Sequence, residues 1–104
     1  MPSLVINIPG EVMPLERGER FEDPLWDAFE AEGVEATITG GGSSLGEVGG
    51  RNVVTSCDID LDVADVEKAL PVIRRVLTAQ GAPPGTTIRQ YRPKEVIYPL
   101  RDDA

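Results

Sequence analysis

The residues best suited to chemistry in this chain are three aspartates at every second position. Asp58, Asp60 and Asp62 lie within the stretch Val53–Val63. Apolar residues occupy the alternate positions of that stretch: Cys57, Ile59, Leu61 and Val63. Strict alternation is typical of a half-buried β-strand, with one face in a core and the other exposed. The exposed face would carry a row of carboxylates about 7 Å apart.

A row of carboxylates suggests a cation site, but the known patterns fit poorly. A calcium-binding loop that begins at Asp58 requires glycine at its sixth position and glutamate at its twelfth, where this chain has Val63 and Ala69. A two-metal site for phosphoryl transfer holds its ions about 4 Å apart and needs further ligands, for which no motif is present. We therefore expect no resident metal, and a solvated face or a partner-recognition face is favoured over a metal-dependent phosphoryl-transfer site.

A second stretch with chemical potential is the segment from residue 40 to 50, which holds six glycines in eleven residues. The glycine spacing of a Walker loop is met from Gly41 to Gly46, but Glu47 and Val48 stand where Lys and Ser or Thr belong. The dinucleotide-binding fingerprint fails at Leu45. Both motifs also require a helix to follow, whereas a strand is expected here.

One anion-binding arrangement remains open for the glycine-rich stretch. The backbone amides of Gly41 and Gly42, with the hydroxyls of Ser43 and Ser44, would form a cradle for an anion. The favoured interpretation is a mobile tip on a long hairpin, because glycine loses more backbone entropy on ordering than any other residue.

Several catalytic classes are excluded by composition. The chain has no histidine, which removes Ser-His-Asp and Cys-His catalysis and histidine-ligated zinc. Cys57 is the single cysteine and is expected to pack inertly in the core. No cofactor is expected.

The charge of the chain limits its partners. A formal net charge of −8 argues against nucleic acid and against anionic membrane surfaces. The segment Glu11–Glu67 holds 15 acidic and three basic residues, whereas Lys68–Arg101 holds seven basic residues and one acidic residue. This polarity favours pairing within the fold, and it leaves a basic protein partner as the alternative.

Length and cysteine content bound the organisation. One domain spanning residues 1–104 is expected from the length. A lone cysteine cannot form an intrachain disulfide, and no signal peptide or long apolar run is recognisable, so a cytoplasmic protein without a membrane span is expected.

The hydrophobic patterns predict seven elements. Strands are predicted at Ser3–Ile8, Val34–Thr39, Val53–Val63, Thr86–Arg92 and Glu95–Leu100. Helices are predicted from Asp23 to Glu32 and from the cap Asp62 or Asp65 to about Gln80, with Pro71 as an irregularity. Glu11–Glu22 is predicted to be a loop held by Val12, Leu15 and Phe21, and residues 101–104 are expected to fray.

This β-α-β-β-α-β order, followed by an extra C-terminal strand, resembles the split-βαβ, ferredoxin-like arrangement. The resemblance concerns the fold pattern alone and implies an α+β domain, with an antiparallel sheet and two helices on one of its faces. The other face would be open, and Arg89 and Tyr91 would share it with the aspartate row.

The sequence therefore favours a small acidic domain that binds or regulates rather than catalyses. It would act through the open sheet face or the glycine-rich hairpin, as a homodimer or with a protein partner. Two alternatives stay open: an acidic, immunity-type inhibitor of a basic enzyme, and a metal-dependent enzyme that uses the aspartate row.

Overall fold

The computed structural model describes residues 1–100 of the chain, so the expectation for residues 101–104 lies outside the described part. Five strands, three α-helices and one π-helical segment follow each other in this range. The strands are β1 (Ser3–Pro9), β2 (Ala36–Val48), β3 (Arg51–Val63), β4 (Thr87–Arg92) and β5 (Val96–Pro99). The α-helices are α1 (Pro14–Arg17), α2 (Asp23–Glu32) and α3 (Val66–Ala79), and a π-helical segment (Gly18–Glu22) joins α1 to α2.

The five strands form one antiparallel sheet in the order β2-β3-β1-β4-β5. The α+β class and the antiparallel sheet predicted from the sequence are confirmed. The inner strand β3 keeps the predicted alternation, because Cys57, Ile59, Leu61 and Val63 are fully or almost fully buried. It lies between β1, the middle strand, and the edge strand β2.

Helices α2 and α3 cover one face of the sheet. Their apolar stripes meet the buried strand residues in a single core, to which α2 contributes Leu25 and Phe29. The stripe of α3 is buried at Ala69, Leu70, Val72, Ile73, Val76 and Leu77. Asp65 caps α3 by accepting hydrogen bonds from the Glu67 and Lys68 amides. The predicted second helix is therefore confirmed, with Asp65 rather than Asp62 as its cap.

Pro71 is accommodated within α3 without ending the helix. It lies on the exposed side, where water can bond the carbonyl of Glu67 that has lost its amide donor. No helix within residues 1–100 combines the length and the apolarity needed to cross a lipid bilayer.

The segment predicted as a loop before α2 is helical, so that expectation is wrong. Helical geometry begins at Pro14 and continues through the π-helical segment into α2. Pro24 has no amide hydrogen to continue α-type bonding, and the preceding amide of Asp23 bonds instead to the carbonyl of Gly18, five residues back. Phe21 is fully buried as expected, whereas Leu15 is exposed.

The prediction of a flexible glycine-rich tip is also wrong in its extent. Strand β2 continues through the glycines to Val48, and only Gly49 and Gly50 form the turn, with φ values of 59° and 77°. Two successive residues with positive φ are typical of a tight two-residue hairpin turn. The hairpin itself is confirmed, and it extends past the end of β1, which pairs with β3 only as far as Ser56.

Candidate functional site

The side of the sheet away from the helices is called the open face here. Because side chains alternate along a strand, burying the apolar residues of β3 forces Asp58, Asp60 and Asp62 onto this face. All three are half-buried rather than fully exposed. The structure therefore places the three aspartates together on one face, as the sequence pattern indicated, on the strand next to the edge strand β2.

The three carboxylates differ in their partners. Asp58 accepts a hydrogen bond of 2.7 Å from the Asn7 amide, and Asp62 accepts one of 2.8 Å from the Ser3 hydroxyl. Among residues 1–100, no side chain donates a hydrogen bond to Asp60 or forms an ion pair with it. Asp60 is therefore the carboxylate of this face that is left to contact something outside the chain.

The strand register arranges the open face in rows that run across the sheet. The central row is formed by residues directly opposite each other on all five strands: Gly40, Asp60, Val5, Arg89 and Ile97. The central row thus has an acid on one side of β1 and a base on the other, with a glycine at one end and an exposed isoleucine at the other.

Two further rows flank the central row. The second row is Gly42, Asp58, Asn7, Thr87 and Pro99. The third row is Thr37, Asp62, Ser3 and Arg92, the last placed by a β-bulge in the pairing of β1 with β4. The acids of the open face therefore lie on β3 and its arginines lie on β4, with β1 between the two strands.

Arg89 and Tyr91 lie on the same face as the aspartates, in agreement with the sequence interpretation. The guanidinium carbon of Arg89 is 5.9 Å from the ring centre of Tyr91, and its Nε is 4.0 Å from a carboxylate oxygen of Glu95. Both contacts are long and solvent-exposed, so they hold Arg89 weakly. Arg89 does not pair with the aspartate row within its own chain, because Val5 lies between them.

No cluster of three or more histidine, cysteine or carboxylate side chains within residues 1–100 is arranged to hold a metal ion. The three aspartates follow one strand instead of converging on a point. Asp58 and Asp62 also use an oxygen to accept a bond from a neutral neighbour. The row as it stands is a polar surface rather than a coordination shell.

The four residues proposed for an anion cradle lie in an extended edge strand. Gly41 and Ser43 oppose Ile59 and Cys57, whereas Gly42 and Ser44 oppose Asp58 and Ser56. Their amides therefore alternate in direction along β2, as in any strand, and do not converge. The expectation of a loop at Gly41, Gly42, Ser43 and Ser44 is wrong because pairing with β3 holds these residues in the sheet.

Each glycine of this segment has its own surroundings. A Cβ at Gly41 would lie 2.6 Å from the Asp58 carbonyl and 3.2 Å from the guanidinium carbon of Arg17. A Cβ at Gly40 would lie 3.5 Å from an Asp60 carboxylate oxygen, and one at Gly42 would meet nothing. Gly41 is thus required by close packing on the helix side, while Gly40 and Gly42 leave shallow gaps in the open face.

Arg17 is a structural residue that sequence reasoning missed. Its Nε donates to Glu22 at 2.8 Å and its Nη1 donates to the carbonyl of Gly42 at 3.0 Å. These two bonds tie the π-helical segment to the outer edge of β2. The sequence signal was the glycine at position 41, which leaves room for a guanidinium over the sheet.

Cys57 lies in the core, as predicted. It is fully buried between Ile8 of β1 and Ser43 of β2. Burial raises the pKa of the Cys57 thiol above its ordinary value of 9.0, and the nearby positive charge of Arg17 offsets part of that rise. A buried thiol that stays protonated is a packing residue rather than a nucleophile.

Comparison with known proteins assigns no family to the chain. No protein-family model matches the sequence. No curated protein matches it at a significant level either. The function is therefore inferred from the open face itself.

Proposed function

We propose that the chain is a non-catalytic binding domain of ferredoxin-like architecture, and that the open face is its binding surface. The strand order β2-β3-β1-β4, with α2 and α3 on one side, supports a split-βαβ unit to which β5 is added at one edge. The single buried thiol supports residence in a reducing compartment such as the cytoplasm.

The observation that carries the proposal is the carboxylate of Asp60, which has no partner among residues 1–100 and lies in the same row as the exposed Ile97. Ile97 is 55% exposed, and Tyr91 on the neighbouring strand is 48% exposed. An acid without a partner, an arginine held weakly and two large exposed side chains on a flat sheet together resemble a protein interface. A face that contacts only water has no need of large exposed side chains such as the tyrosine and the isoleucine.

The composition of the face supports binding rather than chemistry. Its charged side chains are carboxylates and guanidiniums, with neither a histidine nor an exposed thiol among them. The hydrogen bonds from Asn7 and Ser3 fix two of the three carboxylates in position. Side chains held in this way lose little entropy when a partner docks on them.

A second candidate function, an acidic inhibitor of a basic protein, is favoured by helix α2. The exposed side of α2 carries Asp23, Asp27 and Glu30 and forms a negative ridge on the opposite side of the molecule from the open face. A basic partner would be attracted to this ridge at long range, and its binding would weaken with salt. The two candidates thus use different surfaces.

The test is affinity capture from the cells that produce the chain, with three tagged baits. One bait is the wild type, one carries Ile97→Asp on the open face, and one carries Asp27→Arg on α2. The captured protein can be another protein or an untagged copy of the chain. We expect the wild-type and Asp27→Arg baits to capture it and the Ile97→Asp bait to lose it. The reverse result would contradict binding through the open face and support the inhibitor.

A further inference from the structure

The central row of the open face is complementary to itself. From one edge of the sheet to the other it consists of Gly40, Asp60, Val5, Arg89 and Ile97. When a second copy of this row is reversed about Val5 and laid over the first, each acid lies opposite a base and each glycine lies opposite a large apolar side chain. We therefore propose that the occupant of the open face is a second copy of this chain, an inference that rests on the proposed binding role of that face.

The geometry of such a pair follows from the register. Two sheets that pack face to face lie about 10 Å apart, with their strands aligned to within about 30°. A two-fold axis that runs along β1, midway between the sheets, keeps each row at its own height. It places β3 of one copy over β4 of the other, and β2 over β5.

The charged groups of the central row pair across this axis. Asp60 of each copy faces Arg89 of the other, so two identical ion pairs form. Arg89 exchanges a 4.0 Å contact with Glu95 for a carboxylate that has no partner among residues 1–100. A guanidinium can bind that carboxylate through two hydrogen bonds, and pairing offsets the cost of removing both charges from water.

The apolar groups of the central row also fit. Val5 lies on the axis and meets its own counterpart. Ile97, which is 55% exposed, faces Gly40 of the other copy, where the lack of a side chain leaves a gap. A knob of this kind opposite a glycine gives the shape complementarity that stable interfaces require.

The two flanking rows are also complementary to themselves across the two-fold axis along β1. In the third row, Asp62 faces Arg92 of the other copy, and no residue among 1–100 bonds to the guanidinium of Arg92 within its own chain. In the second row, Pro99 faces the gap at Gly42, where an added Cβ would meet nothing. All three rows therefore favour the same axis.

Charge excludes the other face-to-face arrangement. A two-fold axis across the strands would place β3 over β3, with Asp58, Asp60 and Asp62 of one copy against the same acids of the other. Like charges that face each other cost several kcal/mol. The three rows of the open face hold three carboxylates and two guanidiniums, so they are far closer to neutral than the whole chain at −8.

Two charge-reversal variants test the pairing by sedimentation equilibrium at high micromolar concentration. In Asp60→Arg, two arginines face each other in both contacts of a homodimer, and in Arg89→Asp two acids do so. We expect each variant alone to have the chain mass of 11.2 kDa and the wild type to have twice that mass. The dissociation constant of each variant should rise more than about 100-fold, because both contacts become repulsive.

Mixing the two variants restores both contacts. The arginine introduced at position 60 of one variant then faces the aspartate introduced at position 89 of the other, and the native Arg89 faces the native Asp60. We expect the equimolar mixture to recover the dimer mass, which also shows that both variants fold. Asp27→Arg, which makes the same charge change on α2, should remain dimeric.

Three results would each overturn the proposal: a monomeric wild type, variants that stay dimeric, or a mixture that stays monomeric. The wild type could be monomeric and still capture a protein that the Ile97→Asp bait does not. That result would leave the binding role of the open face intact. The failure of the dimer and the failure of the binding surface are therefore distinguishable.

Discussion

Asp60 and Arg89 lie level with each other on the open face, one on each side of β1, with Val5 between them. Their positions follow from two registers, β1 with β3 and β1 with β4. Neighbouring strands are about 4.8 Å apart, so the two backbones are separated by about 10 Å. An acid and a base that share a row without touching are available to a partner that lies across both strands.

The first prediction compares the stability contribution of Asp58, which accepts a hydrogen bond from Asn7, with that of Asp60, which has no partner among residues 1–100. We expect Asp58→Ala to lower the free energy of unfolding by about 1–2 kcal/mol, because the Asn7 amide loses its 2.7 Å acceptor and keeps only a 3.4 Å contact with the Ser56 hydroxyl. Asp60→Asn should change it by less than about 0.5 kcal/mol, since no bond to the rest of residues 1–100 is lost. Urea unfolding of the dilute protein measures both values. Equal losses for the two variants would contradict the assigned partners.

The second prediction concerns two adjacent glycines. Gly41→Ala should lower the free energy of unfolding by about 1–3 kcal/mol, because its Cβ would lie 2.6 Å from the Asp58 carbonyl and the strands must move apart. Gly40→Ala meets only ordinary contact at 3.5 Å and should be neutral or stabilising by up to about 1 kcal/mol. Thermal unfolding of the two variants as dilute protein provides the check, and the opposite order of stability would count against the register of β2.

The third prediction concerns Arg17. We expect Arg17→Ala to lower the free energy of unfolding by about 1.5–3 kcal/mol, because the Gly42 carbonyl and the Glu22 carboxylate both lose a charged donor. Arg51→Ala is the matched control, since the side chain of Arg51 is exposed and has no partner among residues 1–100. The readout is urea unfolding, and equal effects of the two substitutions would show that Arg17 does not hold the edge strand.

The fourth prediction is a pH dependence that arises from Cys57. Burial raises the pKa of its thiol, so above pH 9.0 the unfolded chain releases this proton more readily than the folded chain. The contribution of Cys57 to stability is therefore complete below the pKa of the unfolded chain, and it is lost as the pH rises through the pKa of the folded chain.

The matched variant for that pH dependence is Cys57→Ala, which cannot ionise. We expect the wild type to lose more unfolding free energy than this variant between about pH 8 and pH 11, and the two to run parallel below about pH 8. Denaturant titrations across the range measure the difference. Parallel curves over the whole range would mean that the thiol is accessible to water in the folded protein.

Strand β3 and helix α3 could be predicted from sequence because one physical signal dominates each of them. The alternation from Cys57 to Val63 has no helical interpretation, and Asp65 is a strong cap at the start of an apolar stripe with helical period. These two elements also fix which face of the sheet is open. The location of the aspartate row therefore followed from local pattern alone.

The course of β2 could not be predicted, because its stability is not local. Glycines disfavour a strand by their own propensity, but pairing along the whole length of β3 holds them in the sheet. The helical segment before α2 was missed for a related reason. Gly18 and Pro24 signal a break, whereas burial of Phe21 and the bonds of Arg17 stabilise the helix.

The open face as a binding surface is tested most directly by carboxyl footprinting of the chain, alone at low concentration and at high micromolar concentration in extract of its own cells. Carbodiimide labelling of Asp60 is compared with labelling of Asp27, which is exposed on α2. We expect Asp60 to be labelled in the dilute chain and protected in the extract, while Asp27 is labelled equally in both. Equal labelling of Asp60 in the two conditions, or protection of Asp27 instead, would contradict the account.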